Sequence, residues 1–153
     1  MTTPHSNLPP LKVLAADSLA EGTTLQRVFG DRLTLIFAYT MHDAMAALDQ
    51  DLDAIICNIH FDKYRMSDLL RMAKAHSMTG GVPFICFREL DSDLGTSVTN
   101  DLVAATKALG AAAFLDMYTL KHINGAAGAD TRLRNLVMEL ARNGRALRRA
   151  RDA

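Results

Sequence analysis

The stretch Asp53–Asp62 reads DAIICNIHFD, and it carries the clearest strand signal in the chain. Its apolar part, Ala54–Cys57, is a short continuous run, which is typical of a parallel strand that is covered on both faces. The run ends in one polar side chain, Asn58. Because ligands bind just beyond the carboxyl ends of the strands in an open α/β sheet, Asn58 is a candidate site residue. An amide can hydrogen-bond, but it cannot act as a carboxylate nucleophile.

Four further short apolar runs accompany this strand, and segments with helical spacing separate them. The other predicted strands are Val13–Ala16, Leu33–Ala38, Pro83–Phe87 and Ala111–Leu115. Apolar residues recur at helical spacing from Leu19, Met41, Met66, Leu102 and Leu133. Five alternations of strand and helix predict an α/β fold, in which helices cover both faces of a parallel sheet.

Local signals mark some of the helix ends. Thr40 is the predicted N-cap of the second helix, and Gly110 follows the fourth helix as a C-terminal glycine. The segment Tyr118–Asp130 contains Gly125 and Gly128, and it is longer than a strand-to-helix connection requires. We expect this segment to be a mobile loop before the last helix.

The length of the chain indicates one domain, and its arginines are concentrated near the C-terminus. The 153 residues carry 17 basic and 17 acidic side chains, so the whole chain has no net charge that would attract nucleic acid or membranes. We expect a flexible Pro-rich segment at 1–10, the domain at 11–142 and an Arg-rich helical tail at 143–153. Seven arginines fall between Thr131 and Ala153, which is most often a solvated helix end.

Several functional classes lack their signatures. No apolar run approaches the length of about 18–20 residues that a membrane span needs, and the N-terminus has no secretory signal pattern. Cys57 and Cys86 fall inside apolar runs and are expected to be buried thiols in the cytoplasm. No Cys/His cluster, nucleotide-binding glycine motif or catalytic triad pattern is recognisable, so we expect no metal, no cofactor and no enzymatic activity.

The order of the elements resembles that of a response-regulator receiver domain, over roughly Lys12 to Leu140. The landmarks are VLAADS at 13–18, LDAIICN at 52–58, VPFICFRE at 82–89 and LGAAAFLDM at 109–117. The resemblance implies a flavodoxin-like, doubly wound sheet with strand order 2-1-3-4-5. That order would bring the strand ends around one crevice.

At the working positions of that family, most residues differ. Asp17 keeps one acidic position, but Ser18 stands where a second acid usually lies. Asn58 stands at the phosphoacceptor aspartate, Arg88 at the switch Thr or Ser, and Met117 at the phosphate-sensing lysine. Phosphoryl transfer needs a carboxylate nucleophile and a hard cation. We therefore expect no phosphorylation at position 58 and weak Mg²⁺ binding.

The resemblance implies a pseudo-receiver that acts through protein contacts, with a signalling protein or a second copy as partner. The candidate interface residues are Leu102, Lys107, Phe114, Tyr118, Leu133 and Leu140. Two alternatives stay open. The basic C-terminal helix could contact nucleic acid, and the altered crevice could bind a small molecule through Asp17, Asn58 and Arg88.

Three side chains near the crevice have competing interpretations. Arg88 is either an exposed arginine whose stem covers apolar surface, or the partner of Asp17 at the cation position. His60 is expected to be a locally hydrogen-bonded loop residue. Asp62 or Asp116 could accept a phosphoryl group in place of Asn58, although the remaining machinery is missing.

Overall fold

The computed structural model describes residues 8–21, 23–89 and 96–152, in which five parallel strands form one sheet in the order β2-β1-β3-β4-β5. The strands are β1 Lys12–Ala16, β2 Thr34–Ala38, β3 Ala54–Asn58, β4 Phe84–Arg88 and β5 Ala113–Asp116. The helices are α1 Thr24–Phe29, α2 Met41–Ala47, α3 Met66–Ala75, α4 Thr96–Ala108 and α5 Met117–Asp152. The predicted fold class and strand order are confirmed.

Side chains alternate between the two faces of the sheet, so each face has its own core. On one face, Val13 and Ile56 pack with buried residues of α1 and α5. On the other face, Leu14 and Ile55 pack with residues of α2 and α3. Every residue of β3 and β4 is buried, as continuous apolar runs predict.

The helical stripes agree with prediction except at the first and fourth helices: in α4, Val103 belongs to the predicted stripe but is 37% exposed. The α3 stripe is buried, and the Thr40 hydroxyl accepts a hydrogen bond from the Asp43 N–H, which confirms the predicted cap. Leu19 does not join the first stripe: it lies in a short 3-10 turn and is 76% exposed. Helix α1 begins only at Thr24.

The expected loop at 118–130 is wrong, because this segment is part of α5. Gly125 interrupts the helix with φ 74° and ψ 169°, a conformation that side chains disfavour. The following alanines have high helix propensity, and Ala129 is fully buried against the sheet. Asp130 forms an ion pair with Arg27 of α1. Packing and propensity therefore outweigh the loop signal of Gly128, whereas Gly125 breaks the helix locally.

The end of α5 docks beneath the amino ends of the strands, where it meets the buried carboxylate of Asp53. Arg145 donates from Nε and Nη2 to the two Asp53 oxygens at 3.1 and 2.7 Å, and Arg148 adds a contact of 2.8 Å. The Lys12 N–H also donates to Asp53. Burial by itself raises the pKa of Asp53, but the hydrogen bonds from Arg145, Lys12 and Arg148 outweigh burial and lower the pKa. The carboxylate and its partners hold the helix end to the sheet.

Glycine permits this close approach. A Cβ on Gly144 would lie 2.8 Å from both the Asp53 carbonyl oxygen and Pro83 Cδ. Residues 143–152 of the segment expected as a tail are thus continuous with α5, and their first part packs against the domain. Of the expected N-terminal segment 1–10, residues 1–7 lie outside the described residues, and the carbonyls of Pro9 and Pro10 accept hydrogen bonds from Arg145. Within the described chain, no helix is long and apolar enough to cross a membrane.

Candidate functional site

Asp17 and Asn58 meet in the crevice at the carboxyl ends of β1 and β3. Asn58 is fully buried, and its Nδ2 donates to Asp17 Oδ1 at 3.0 Å. Its Oδ1 accepts the His60 N–H at 2.9 Å, and the Ser18 N–H donates to Asp17 Oδ1 at 2.8 Å. A carboxylate at position 58 could accept the His60 bond but could not donate to Asp17, so the amide matches both neighbours.

A second buried acid lies close by at the end of β4. Glu89 is 5% exposed, and its Oε1 accepts a hydrogen bond from the Thr24 hydroxyl at the start of α1. Glu89 ends the landmark VPFICFRE, and no role was predicted for it. The alternation of side chains along β4 could have placed Glu89 here, because Phe87 faces the α1 side and residues two positions apart in a strand face the same side.

Arg88 and Asp116 form an ion pair between the neighbouring ends of β4 and β5. They are register partners, and Arg88 donates from Nε to Asp116 Oδ1 at 3.1 Å and from Nη2 to Oδ2 at 2.8 Å. Asp116 also accepts from the backbone N–H and hydroxyl of Thr119, so it caps the start of α5. The Arg88 guanidinium lies 5.3 Å from the centroid of the Tyr118 ring.

The charge of Asp116 is stabilised by these contacts. Burial raises the pKa of Asp116, but the hydrogen bonds from Arg88 and Thr119 outweigh it, so the pKa lies below its usual value. Arg88 is only 8% exposed, so its interpretation as an exposed arginine is wrong. It binds the Asp116 carboxylate bidentately. Asp17 is joined to the end of β3 through the Asn58 amide and to the end of β2 through its own N–H, which donates to the Ala38 carbonyl at 3.0 Å.

The two remaining predicted pocket residues are Ser18, at the margin of the crevice, and Met117, which lies in the core. Ser18 is half-buried and contributes its backbone N–H. Met117, the first residue of α5, is fully buried and packs with the apolar residues on the α1 and α5 side of the sheet. A long cationic side chain at this position would have to leave that core to reach the crevice.

The loop after β3 borders the crevice with an unusual backbone. Asp62, Lys63 and Tyr64 have φ values of 41°, 58° and 64°, in the left-handed region that costs energy for residues other than glycine. Asp62 accepts the Met41 N–H at 2.7 Å and so holds the start of α2. The His60 ring packs edge-on against Tyr64. Both acids considered as alternative phosphoacceptors, Asp62 and Asp116, thus hold helix starts.

The predicted interface residues separate into two groups. Leu133 is fully buried under the sheet, so its assignment to a partner surface is wrong; its role is core packing. The others lie at least partly at the surface: Lys107 is exposed, and Leu102, Phe114, Tyr118 and Leu140 are half-buried.

The comparisons with known proteins agree on the fold. No protein-family model matches the chain, and no curated protein matches it. A solved structure assigned as the signal receiver domain of a LuxO repressor protein from Vibrio parahaemolyticus superposes with a TM-score of 0.67 and 18% identity, covering 94% of this chain and 98% of the other. A response regulator from Hahella chejuensis gives a TM-score of 0.64 and 17% identity, covering 85% and 94%.

A phosphorylated cyanobacterial phytochrome response regulator, RcpA, also matches, with a TM-score of 0.65, 11% identity and coverage of 83% and 91%. At such low identities the likeness establishes the fold. The chain has the receiver-domain fold, with five parallel strands in the order 2-1-3-4-5.

Proposed function

We propose that this chain is a receiver-like signalling module that is not phosphorylated at position 58 and acts by binding a protein partner, in a two-component or related system. The observation that carries the proposal is the buried Asn58 amide, which donates to Asp17 and accepts from the His60 backbone. An amide cannot attack a phosphoryl donor as a carboxylate does.

The donor groups around Asn58 do not fit Mg²⁺ well. Mg²⁺ favours near-octahedral oxygen ligands that usually include one or two carboxylates. The Asn58 side-chain oxygen accepts the His60 N–H, so it is turned away from Asp17. The Asn58 side-chain nitrogen faces Asp17, so the amide presents a hydrogen-bond donor to the carboxylate and no oxygen ligand for a cation. Glu89 is turned toward Thr24. A cation would have to displace these hydrogen bonds.

The two positions that would respond to a phosphoryl group in the family are also occupied differently. Arg88 is held by Asp116 and Tyr118, which ties the end of β4 to the start of α5. Met117 is buried in the core. These contacts favour one fixed arrangement of the crevice, so the module would present a constant surface rather than one that changes on phosphorylation.

The surface proposed for the partner is the α4–β5 face, formed by Leu102, Lys107, Phe114 and Tyr118. Strand β5 is at the edge of the sheet, and α4 adds exposed apolar side chains there: Val98 is 49% exposed and Val103 is 37% exposed. Exposed apolar side chains beside a charged residue are typical of protein contact surfaces. Leu140 is half-buried farther along α5 and is a peripheral candidate.

The alternatives gain less support. Three of the C-terminal arginines are used within the fold, since Arg134 donates to the Val28 carbonyl and Arg145 and Arg148 bind Asp53. This leaves less charge for nucleic acid. In the crevice, Asp17 and Asn58 hydrogen-bond each other, which leaves less capacity for a polar small molecule.

The proposal is tested by incubating the protein with acetyl phosphate and Mg²⁺ and measuring its intact mass. We expect no added phosphoryl group, and no change in amide NMR signals near Asp17 and Asn58 when beryllofluoride is added. A mass gain of one phosphoryl group would overturn the non-phosphorylatable assignment. The binding part is tested separately with Val103→Asp, which should weaken capture of a signalling partner without changing the free energy of unfolding.

A further inference from the structure

A basic groove lies at the opposite end of the molecule from the crevice, between the chain around Leu8 and the last turns of α5. It encloses a cavity of about 500 Å³, within the size range of ligand and peptide pockets. Apolar side chains line its floor, namely Leu8, Leu11, Met138 and Ala146. We name this cavity the α5 groove.

Three arginines border the α5 groove and form no ion pair with a described residue. Arg32, Arg142 and Arg149 are exposed, in contrast to Arg145, which binds Asp53. Asp51 and Asp152 lie beside Arg149 on its other side. The groove therefore combines an apolar floor with unpaired guanidinium groups, a combination that favours a ligand with both apolar and anionic groups.

The spacing of the arginines indicates the kind of ligand. Arg142 and Arg149 lie on one face of α5 and are about 10 Å apart along its axis. The part of α5 that lines the groove, from Met138 to Arg149, is about 16 Å long. A fatty acid carries its charge at one end only, so it could not pair with both arginines. Two arginines spaced along the helix match a peptide in which carboxylates alternate with apolar side chains. About five extended residues cover the same distance.

We propose that the α5 groove binds an acidic amphipathic segment of a partner protein, with carboxylates on Arg142, Arg149 and Arg32 and apolar side chains on the floor. This inference rests on the proposed function as a protein-binding module and adds a second contact surface to it. The groove lies away from the α4–β5 face, so one partner could span both surfaces or two partners could bind at once.

The test uses a fluorescent peptide of about ten residues that alternates glutamate and leucine, which is long enough to fill the groove. Fluorescence anisotropy is expected to show saturable binding that weakens as salt is added. The double variant Arg142→Gln/Arg149→Gln should bind about tenfold more weakly, because two charge contacts are lost. The matched control, Arg71→Gln/Arg132→Gln, removes the same charge from exposed positions outside the groove and should bind as the native protein does.

Other outcomes would overturn the proposal. These are absence of binding, equal loss in both double variants, and equal binding of a peptide with glutamine in place of glutamate. Tighter binding of a duplex DNA oligonucleotide that the groove variant abolishes would assign the arginines to nucleic acid. A dimer in sedimentation that the groove variant dissociates would assign the groove to a second copy.

Failure here is distinguishable from failure of the proposed function. A groove that does not bind the peptide leaves the absence of phosphorylation and the Val103→Asp result unchanged. Conversely, a phosphoryl mass gain would leave peptide binding at the groove intact.

Discussion

Buried carboxylates lie at both ends of the central sheet, and their partners differ. At the amino ends of the strands, Asp53 is fully buried and contacts two guanidinium groups, those of Arg145 and Arg148. At the carboxyl ends, Asp17 is 3% exposed and accepts from the neutral amide of Asn58. The first arrangement balances charge and ties down a helix, whereas the second joins two strand ends through an amide hydrogen bond.

Residue type and burial alone therefore do not define a site. A buried carboxylate with cationic partners holds distant segments together, and breaking such a pair is costly. A buried carboxylate at a strand-end crevice, where ligands bind in this fold class, is a candidate site residue. Substitutions at the two ends of the sheet should therefore differ in the size and the kind of their effects.

Removing Asp53 is expected to destabilise the fold most. Asp53→Ala leaves Arg145 and Arg148 without their carboxylate and the Lys12 N–H without its acceptor, and breaking a buried ion pair costs about 3–5 kcal/mol. Urea unfolding measures the loss. Asp51→Ala, an exposed control two residues away, should change the free energy of unfolding by less than about 0.5 kcal/mol. Equal effects of the two variants would contradict the role of Asp53.

A carboxylate at position 58 is expected to destabilise the crevice. In Asn58→Asp an oxygen replaces Nδ2, which lies 3.0 Å from Asp17 Oδ1, so two carboxylates face each other. We expect a loss of about 2–3 kcal/mol in urea unfolding. Mg²⁺ should recover part of that loss, because a hard cation neutralises paired carboxylates.

Two comparisons control this prediction. Asn58→Ala removes the hydrogen bonds without adding charge, so Mg²⁺ should not stabilise it, and Mg²⁺ should leave the native protein unchanged. If Asn58→Asp without Mg²⁺ unfolded at the same urea concentration as the native protein, the amide would not be required beside Asp17.

A side chain at Gly144 is expected to push the end of α5 away from the sheet. Gly→Ala inside an exposed helix normally stabilises by about 1 kcal/mol. Here the new Cβ would lie 2.8 Å from Asp53 and Pro83 atoms, so we expect a loss of about 1–2 kcal/mol instead. Asn143→Ala, at the exposed neighbouring position, is the control in thermal unfolding. A stabilising Gly144→Ala would show that the helix end does not approach the sheet so closely.

Acid is expected to weaken the fold through Asp53 and Asp116. The pKa of each is lowered in the folded state, so below about pH 4 the unfolded chain binds more protons than the folded chain. Their stabilising contribution is therefore complete above about pH 4 and is lost as the pH falls through the folded-state pKa. The slope is at most about 1.4 kcal/mol per pH unit for each group. Urea unfolding between pH 7 and pH 3 should show a smaller slope in Asp53→Asn, and an unchanged slope would contradict its ion pair.

The smallest effect is expected at the pair between β4 and β5. A double-mutant cycle with Arg88→Met and Asp116→Asn should give a coupling of about 1 kcal/mol, because Arg88 is buried and Asp116 is partly exposed. The exposed pair Arg71 and Asp68 is the reference and should couple by less than about 0.5 kcal/mol. Equal couplings would mean that the Arg88 contact adds no more than a surface ion pair.

Local patterns in the sequence predict the sheet and the position of its crevice. Continuous apolar runs and helical spacing are local patterns, so they predict strands, helices and their alternation without knowledge of distant contacts. The end of the β3 run placed Asn58 at the site, and the stripe of α3 was correct in every residue. These features depend on the direction of a side chain relative to its own segment.

The packing of distant segments sets which side chains meet, and local patterns do not contain that information. Arg88 pairs with a residue 28 positions away and Arg145 with one 92 positions away, and spacing along one segment cannot identify a partner on another. The same limit explains the segment 118–130, where local glycine signals favoured a loop but burial of Ala129 and the Asp130 ion pair stabilise a helix. Contacts between distant segments, which depend on how the elements pack, therefore set the charge balance at both ends of the sheet.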